Sequence, residues 1–432
     1  MDSNYKILAP DIRSWTALIG KFLVGQGTVQ AINLVSGLLI IRFLPLREYA
    51  LYTIASLLLL VGSLGSDMGL SQAVNTLGAK IRDDRQALGA LYAGAYRYRR
   101  MLYLAAVGVI LFLATYMMYG HEWTFASACL SVALVVLTSW FQQPVSLKKS
   151  ILNLHHDADG LLYAGASEAI SRLLAVITCL VWPTAVTALM VNLLGVLVGR
   201  HFLSKRCASL MSEQAVPDEL QLKDLRDFII PLMPVVIYYM LQGQISIFLL
   251  SMYGLTISIA EVGALGRLGQ LIGLLIMLNA FLIQPYFARI EQKSLYISSV
   301  RLVIAILFVF CLLTMISVYC VPDWWLFILG DKYAGLEREL PLAILGPLLT
   351  LVGGTLYTMV IARNITRGQS WYIVVGIVSQ IMFIGIFNVQ TTFDALILNM
   401  LPAVGYILVQ SILLLTIFSN WEGGATYEAR GT

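Results

Sequence analysis

Apolar residues in this chain gather into twelve blocks, at 20–43, 49–68, 101–119, 123–142, 160–181, 184–203, 229–252, 259–286, 300–320, 341–362, 370–389 and 394–418. A helix needs roughly 20 apolar residues to cross a hydrocarbon core about 30 Å thick. Lipid offers no partner to a bare backbone N–H or C=O, so blocks of this length read as transmembrane helices. The pattern predicts an all-α polytopic membrane protein.

Composition agrees. Of the 432 residues 59% are apolar and 12% charged, with mean hydropathy +0.82, whereas a soluble domain has about 25% charged residues. A chain with so little charge cannot cover the surfaces of two or three soluble domains. The 34 Gly and 12 Pro show no repeat that would suggest a fibrous chain. Twelve spans leave no room for a separate soluble catalytic domain; the longest polar stretches are 69–100 and 204–228.

Charge orients the spans. With both termini cytoplasmic, 22 of the 28 Lys and Arg lie on the inside, among them Lys6, Lys80, Arg82, Arg99, Lys148, Lys149, Arg206, Arg289, Arg367 and Arg430. Only Arg42, Arg47, Lys332 and Arg338 lie outside, and Arg172 and Arg267 fall within spans. The positive-inside rule favours this topology. Residues 1–19 are polar and mixed, so the first span reads as a retained anchor and not a signal peptide. A pI near 8.7 follows from the cytoplasmic loops and points to anionic lipid headgroups, not nucleic acid. The five scattered cysteines, without a C-x-x-C, read as small apolar filler.

Six spans precede the charged segment 204–228 and six follow it. The expected organisation is a six-helix bundle over 1–203, a cytoplasmic linker over 204–228, a second bundle over 229–419 and a cytoplasmic tail over 420–432. With an even number of spans each, the two bundles are parallel repeats about an axis along the membrane normal.

Polar residues inside spans need a reason to be there. Span one carries Gln26, Gln30 and Asn33 on one helix face, continued by Gly37. Span seven carries Tyr238, Gln242 and Ser246 at i, i+4 and i+8. Amides both donate and accept, which suits hydroxyl-rich ligands; interhelical hydrogen bonding is the alternative. Glu168 and Arg172 stand at i, i+4 in span five, either as a self-neutralising packing pair or as part of a wet cavity. Arg267 in span eight has Glu261 six residues away on another face, so an aqueous passage that receives anions explains it better than a partner. Asp67 closes span two and reads as interfacial.

Other features carry less. Gly195-x-x-x-Gly199 and Gly269-x-x-x-Gly273 read as close helix packing, and Pro231, Pro234, Pro347 and Pro402 as kinks. His155–His156 with Asp157 and Asp159 reads as a solvated loop, with no metal site. Trp123, Trp182, Trp324 and Trp325 fall at span ends, as interfacial aromatics do. No catalytic triad or carboxylate pair appears where water and substrate could meet, so no enzyme is expected.

Several short motifs succeed one another along these spans: Glu48-Tyr49-Ala50-Leu51-Tyr52 opening span two, Asp67-Met68-Gly69-Leu70 closing it, Pro285-Tyr286-Phe287-Ala288-Arg289 ending span eight, and Gly330-Asp331-Lys332-Tyr333 before span ten. Their order resembles the polysaccharide (O-antigen) flippases of the multidrug/oligosaccharidyl-lipid/polysaccharide exporter superfamily. The resemblance implies a V-shaped pair of bundles in a bacterial inner membrane. It implies alternating access and an undecaprenyl-diphosphate-linked oligosaccharide as cargo. It also implies a glycan polymerase and a chain-length regulator as partners, and no cofactor. On that footing Arg172 and Arg267 are candidates for the diphosphate or acidic sugars. Gln26, Gln30, Asn33, Tyr238 and Gln242 are candidates for sugar hydroxyls. A proton or sodium gradient is the candidate energy source, with Glu168, the one mid-span carboxylate, as candidate carrier. Two alternatives stay open: a drug/cation antiporter of the same superfamily, which should present unpaired carboxylates, and a polysaccharide polymerase or ligase, which needs a larger outer loop than 321–340.

Overall fold

The computed structural model describes residues 12–118, 121, 123–212, 215–279, 283–288, 290, 292–363, 365 and 368–419, and no strand occurs among them. Lys6, Arg289, Arg367, Arg430 and the tail 420–432 lie outside the described residues. The helices are α1 (Ile12–Phe43), α2 (Leu46–Asp67), α3 (Leu70–Gly78), α4 (Arg85–Met118), α5 (Phe125–Leu154), α6 (Ala158–Ala175), α7 (Thr178–Val181), α8 (Ala185–Cys207), α9 (Glu219–Ile229), α10 (Met233–Gln242), α11 (Ile245–Met252), α12 (Thr256–Leu278), α13 (Gln284–Ala288), α14 (Lys293–Cys320), α15 (Pro322–Leu329), α16 (Leu340–Ile361), α17 (Trp371–Ile386) and α18 (Thr392–Ser419).

Among the described residues, eight helical segments are long and apolar enough to cross a membrane. A ninth crossing is a bent pair, Glu219–Gln242 with Ile245–Met252, kinked by 52°. With α1, α12 and the short α17, every predicted span finds a helix. They form two six-helix bundles. In the first lobe α1 packs on α6, α6 on α8, α5 on α8 and α2 on α4; in the second, α16 packs on α18, α17 on α18 and α14 on α16.

Three expectations are refined. The polar stretch 69–100 is mostly helical and partly buried, because α3 and the first turns of α4 occupy most of it, and Leu88, Leu91 and Ala95 are buried at helical spacing. The segment after α8 is not only a linker: α9 is amphipathic, opens on an Asp218/Gln221 capping box, and buries Leu225 and Ile229 under the first lobe. Of the two packing glycines in α12, only Gly269 is in close contact. A Cβ there would lie 2.6 Å from Pro347 of α16, whereas nothing lies within 4 Å of one at Gly273.

The lobes meet unevenly. At the end where α1 finishes, one core runs through both, joining Ile40, Tyr49 and Leu58 to Leu265, Leu329, Tyr333 and Ile344. At the end carrying α9 there are two separate cores. One is built on Leu91, Leu147, Leu161 and Leu225, the other on Phe287, Tyr296, Met359 and Leu414. We call these the sealed end and the linker end.

Candidate inter-lobe site

The polar face of α1 lies between the two lobes. Gly25 and Val29 pack toward Leu162 and Gly165 of α6, which fixes the helix in its own lobe. The stripe Gln26–Gln30–Asn33–Gly37 is turned aside from that contact, with Gln30 exposed and Gln26 and Asn33 half-buried. Asn33 Oδ1 accepts a hydrogen bond of 3.2 Å from Arg172 Nη1. One turn on, about 6 Å along the axis, Gly37 leaves room for the guanidinium of Arg267, whose Nη1 would be 3.3 Å from a Cβ there. The two span-embedded arginines, one from each lobe, therefore stand on the same line of α1.

Arg172 belongs to a four-residue group. Its Nη2 donates to Glu168 Oε1 at 3.0 Å, and Lys149 Nζ from α5 stands 3.6 Å from Glu168 Oε2. The i, i+4 pair thus forms as its spacing predicts, but with a second cation, Lys149, that charge alone assigns only to the cytoplasmic side. Gly195 and Gly199 of α8 make the space: a Cβ at either would lie 3.3 Å from Arg172 Nε or 3.1 Å from Glu168 Cβ. The close packing read from that Gly-x-x-x-Gly holds an ion pair between α6 and α8. On the far side of α6, Tyr163, Ile170 and Leu174 are exposed and apolar, so that side takes the lipid.

Arg267 has no carboxylate partner among the described residues. Its guanidinium faces the hydroxyls of Tyr49 and Tyr52 on α2 and lies within 3.4 Å of Gln270 Oε1. Glu261 is engaged elsewhere, accepting from Thr392 Oγ1.

The motif residues assemble the seal. Glu48 Oε2 accepts the Ala185 N–H at 2.7 Å, capping the start of α8. Tyr49 stacks edge-on against Tyr333, 6.5 Å between ring centres. Arg42 donates to the Phe327 and Ile328 carbonyls, the latter at 3.3 Å, and Lys332 donates to the Leu44 carbonyl. Burial pushes the Lys332 ammonium below the ordinary lysine range. His121 Nδ1 and Thr256 Oγ1, 2.6 Å apart, add a further bridge between the lobes.

Asp67 is more than interfacial. It pairs at 2.9 Å with Arg99 Nη1, which is 1% exposed although the charge rule counts it among the cytoplasmic cations. Arg99 Nε donates to Gln143 Oε1 at 3.0 Å and its Nη1 to Ser146; Gln143 Nε2 donates to Ser66 at 3.1 Å. This network ties α2, α4 and α5 into one block. The left-handed Met68 (φ 39°) and Gly69 (φ 88°) turn the chain straight after Asp67.

The span-seven stripe is broken. The helix ends at Gln242 and restarts at Ile245, so Ser246 is not in line with Tyr238 and Gln242. Gln380 of α17 repairs the break, its Nε2 donating at 3.4 Å to both the Gln242 and the Leu398 carbonyl. Tyr238 is packed inward, its hydroxyl in the space left by Gly376. Its neighbour Tyr239, absent from the predicted stripe, is 51% exposed and shares a hydrogen bond with Tyr372.

No family model matches the chain, and no curated protein matches it in sequence. Solved structures do match in fold. An inward-facing multidrug resistance MATE family transporter of the MOP superfamily aligns over 91% of this chain and 96% of its own, with TM-score 0.65 and 14% identity. The lipid II flippase MurJ, in an inward closed conformation, aligns over 92% and 87%, with TM-score 0.66 and 11% identity. The eukaryotic MATE transporter AtDTX14 aligns over 92% and 94%, with TM-score 0.62 and 11% identity. The chain has the fold that these proteins share.

Proposed function

We propose that this protein is a flippase that carries an undecaprenyl-diphosphate-linked oligosaccharide across the inner membrane of a bacterium by alternating access. One observation carries the reading. Arg172 from one lobe and Arg267 from the other stand along the amide stripe of α1, between lobes that share a core at one end only. Guanidinium groups suit a diphosphate, which they can bind through paired N–H donors, and the amides suit sugar hydroxyls. The basic linker end faces the cytoplasm on the charge rule, with both termini there. Cargo enters between the parted lobes, and the seal opens as the linker end closes. Arg267, which faces tyrosine hydroxyls and bonds Gln270 rather than a carboxylate, is then freed for the departing diphosphate. The glycan repeat unit of an O-antigen or capsule fits this cargo class, and a glycan polymerase and chain-length regulator fit as partners. The motifs at Glu48–Tyr52, Asp67–Leu70 and Gly330–Tyr333 support the cargo class, and the MurJ-like fold supports a lipid-linked substrate. A proton or sodium gradient is the proposed energy source and Glu168 the proposed carrier.

A drug/cation antiporter should present net negative charge to its cargo, whereas Glu168 with Lys149 and Arg172 leaves this group net positive. The test is reconstitution. Proteoliposomes holding the purified chain should move a fluorescent undecaprenyl-diphosphate oligosaccharide between leaflets, and Arg172→Gln or Arg267→Ala should abolish this without loss of insertion. Equal rates in empty and protein-loaded vesicles would refute the reading.

A further inference from the structure

A five-tyrosine cluster in the second lobe has no part in the seal or in the arginine line, and only its Tyr238 belongs to the polar stripe read from the sequence. Tyr239 and Tyr372 rings lie 6.0 Å apart, Tyr238 is 5.7 Å from Tyr239 and 6.1 Å from Tyr372, and Tyr406 links Tyr372 at 5.2 Å to Tyr357 at 6.1 Å. Four helices, α10, α16, α17 and α18, contribute to it. Tyr406 lies over Gly353 of α16, where a Cβ would be 2.6 Å from its ring, so the cluster is seated on bare backbone.

On α10, Met240 packs against Gly65 of α2 in the other lobe and Tyr238 against Gly376 of α17. Ile237 and Leu241 are exposed on one side between these directions, and Tyr239 on the other. The apolar side suits hydrocarbon, which leaves Tyr239 and its partner Tyr372 to the space between the lobes.

In the first lobe, Asn33 of the first span meets Arg172 of the fifth. In the second lobe, Tyr239 of the first span meets Tyr372 of the fifth. Parallel repeats about an axis along the membrane normal turn equivalent surfaces toward one another. One wall is therefore ionic and amide-rich and the other aromatic. Tyr372 is the second residue of α17, so the aromatic wall starts near the linker end.

We propose that the Tyr239–Tyr372 pair is the glycan subsite of the passage, its ring faces receiving the apolar face of a pyranose while the Arg172 wall holds the diphosphate. Aromatic rings bury large area at a fixed geometry and leave a hydroxyl for polar edges, which matches a sugar ring with one C–H face and a rim of hydroxyls. The cluster as a whole holds the two rings in place.

This rests on the flippase reading and is tested so that the two can fail separately. Binding of undecaprenyl diphosphate and of undecaprenyl-diphosphate N-acetylglucosamine is measured on the full chain in lipid nanodiscs. Wild type should prefer the sugar-bearing lipid by about tenfold, the size of two aromatic contacts. Tyr239→Leu with Tyr372→Leu should erase that preference and keep binding of undecaprenyl diphosphate, which also reports correct folding. Tyr239→Phe with Tyr372→Phe should keep most of it. Absence of a preference in wild type, equal loss of both lipids in the Leu variant, or equal loss in the Phe and Leu variants overturns the subsite. Failure of wild type to bind either lipid removes the flippase reading and the subsite with it.

Discussion

Arg42 and Lys332 cap each other's helices across the seam between the lobes. Arg42, in the last turn of α1, donates to the Phe327 and Ile328 carbonyls that end α15; Lys332, just beyond α15, donates to the Leu44 carbonyl that ends α1. Helix C-termini carry unsatisfied carbonyls and partial negative charge, so a cation is well placed at each. Two of the four cations on the minority side of the charge rule thereby acquire a structural purpose.

Removing either cap should loosen the seal. Hydrogen bonds from a charged donor contribute about 1.5–3 kcal/mol, enough for a roughly tenfold or larger shift between two states. Arg42→Gln or Lys332→Gln should raise the labelling rate of a cysteine placed at Gly37 from the sealed side by that factor, in an otherwise cysteine-free background. An unchanged rate in both variants would show that the apolar core alone keeps the seal shut.

The Asp67–Arg99 pair should behave as a buried ion pair. Asp67→Asn or Arg99→Gln alone leaves the partner charge buried and should cost roughly 3–5 kcal/mol. The double variant Asp67→Asn/Arg99→Gln should recover part of that loss. Thermal unfolding in detergent, read for both singles and the double, checks the sign of the coupling.

Neutralising Glu168 frees two cations at once. Glu168→Gln should therefore tighten binding of the anionic lipid diphosphate while slowing its translocation, because the ion pair can no longer re-form to release cargo. Binding and initial flipping rate in the same vesicles separate the two effects; parallel loss of both would point to packing alone.

Gly269 and Gly273 give opposite expectations from one motif. Gly269→Ala drives a methyl into Pro347 and should destabilise by about 1–3 kcal/mol, as overpacking does. Gly273→Ala meets open space and should be neutral or slightly stabilising, since it removes glycine from a helix. Melting temperatures of the two variants decide it.

Asp157 caps α6 through the Gly160 N–H and bonds Arg206 Nε at 2.6 Å, and the Arg206 hydrogen bond holds its carboxyl below the ordinary carboxylate range. A lowered folded-state value means its stabilisation is complete above the ordinary carboxylate pKa and fades as pH falls through the lowered one. Asp157→Ala should cost roughly 1 kcal/mol near neutral pH, in the range of a lost N-cap, and the gap to wild type should close in acid. Melting curves at a series of pH values check this.

The helical pattern, the number of spans and the Glu168–Arg172 spacing were all legible in the sequence, because lipid enforces long apolar runs and helix geometry fixes what i, i+4 brings together. Arg99 was not, although a signal was there. The buried residues of α4 recur at Leu88, Leu91, Ala95, Arg99, Tyr103, Ala106 and Ile110, and Arg99 falls on that stripe. Hydropathy alone reads it as the polar edge of a span. Lys149 is hidden for the same reason, since α5 continues a further turn past it. The break after Gln242 rests on a partner from a distant helix, Gln380, which local periodicity cannot reveal. The Tyr239–Tyr372 contact likewise joins residues 133 apart.

Transport through the inter-lobe passage requires water to reach the amide face of α1 from the linker end. The direct measurement is labelling of single cysteines at Gln30 and Asn33, with Ile40 as buried control, by a membrane-impermeant maleimide applied from each side of oriented vesicles. Labelling should be fast at 30 and 33 from the linker side and slow from the sealed side, and added lipid-linked oligosaccharide should protect both positions. Positions 30 and 33 as inert as 40 from both sides would mean dry helix packing, with no passage for cargo.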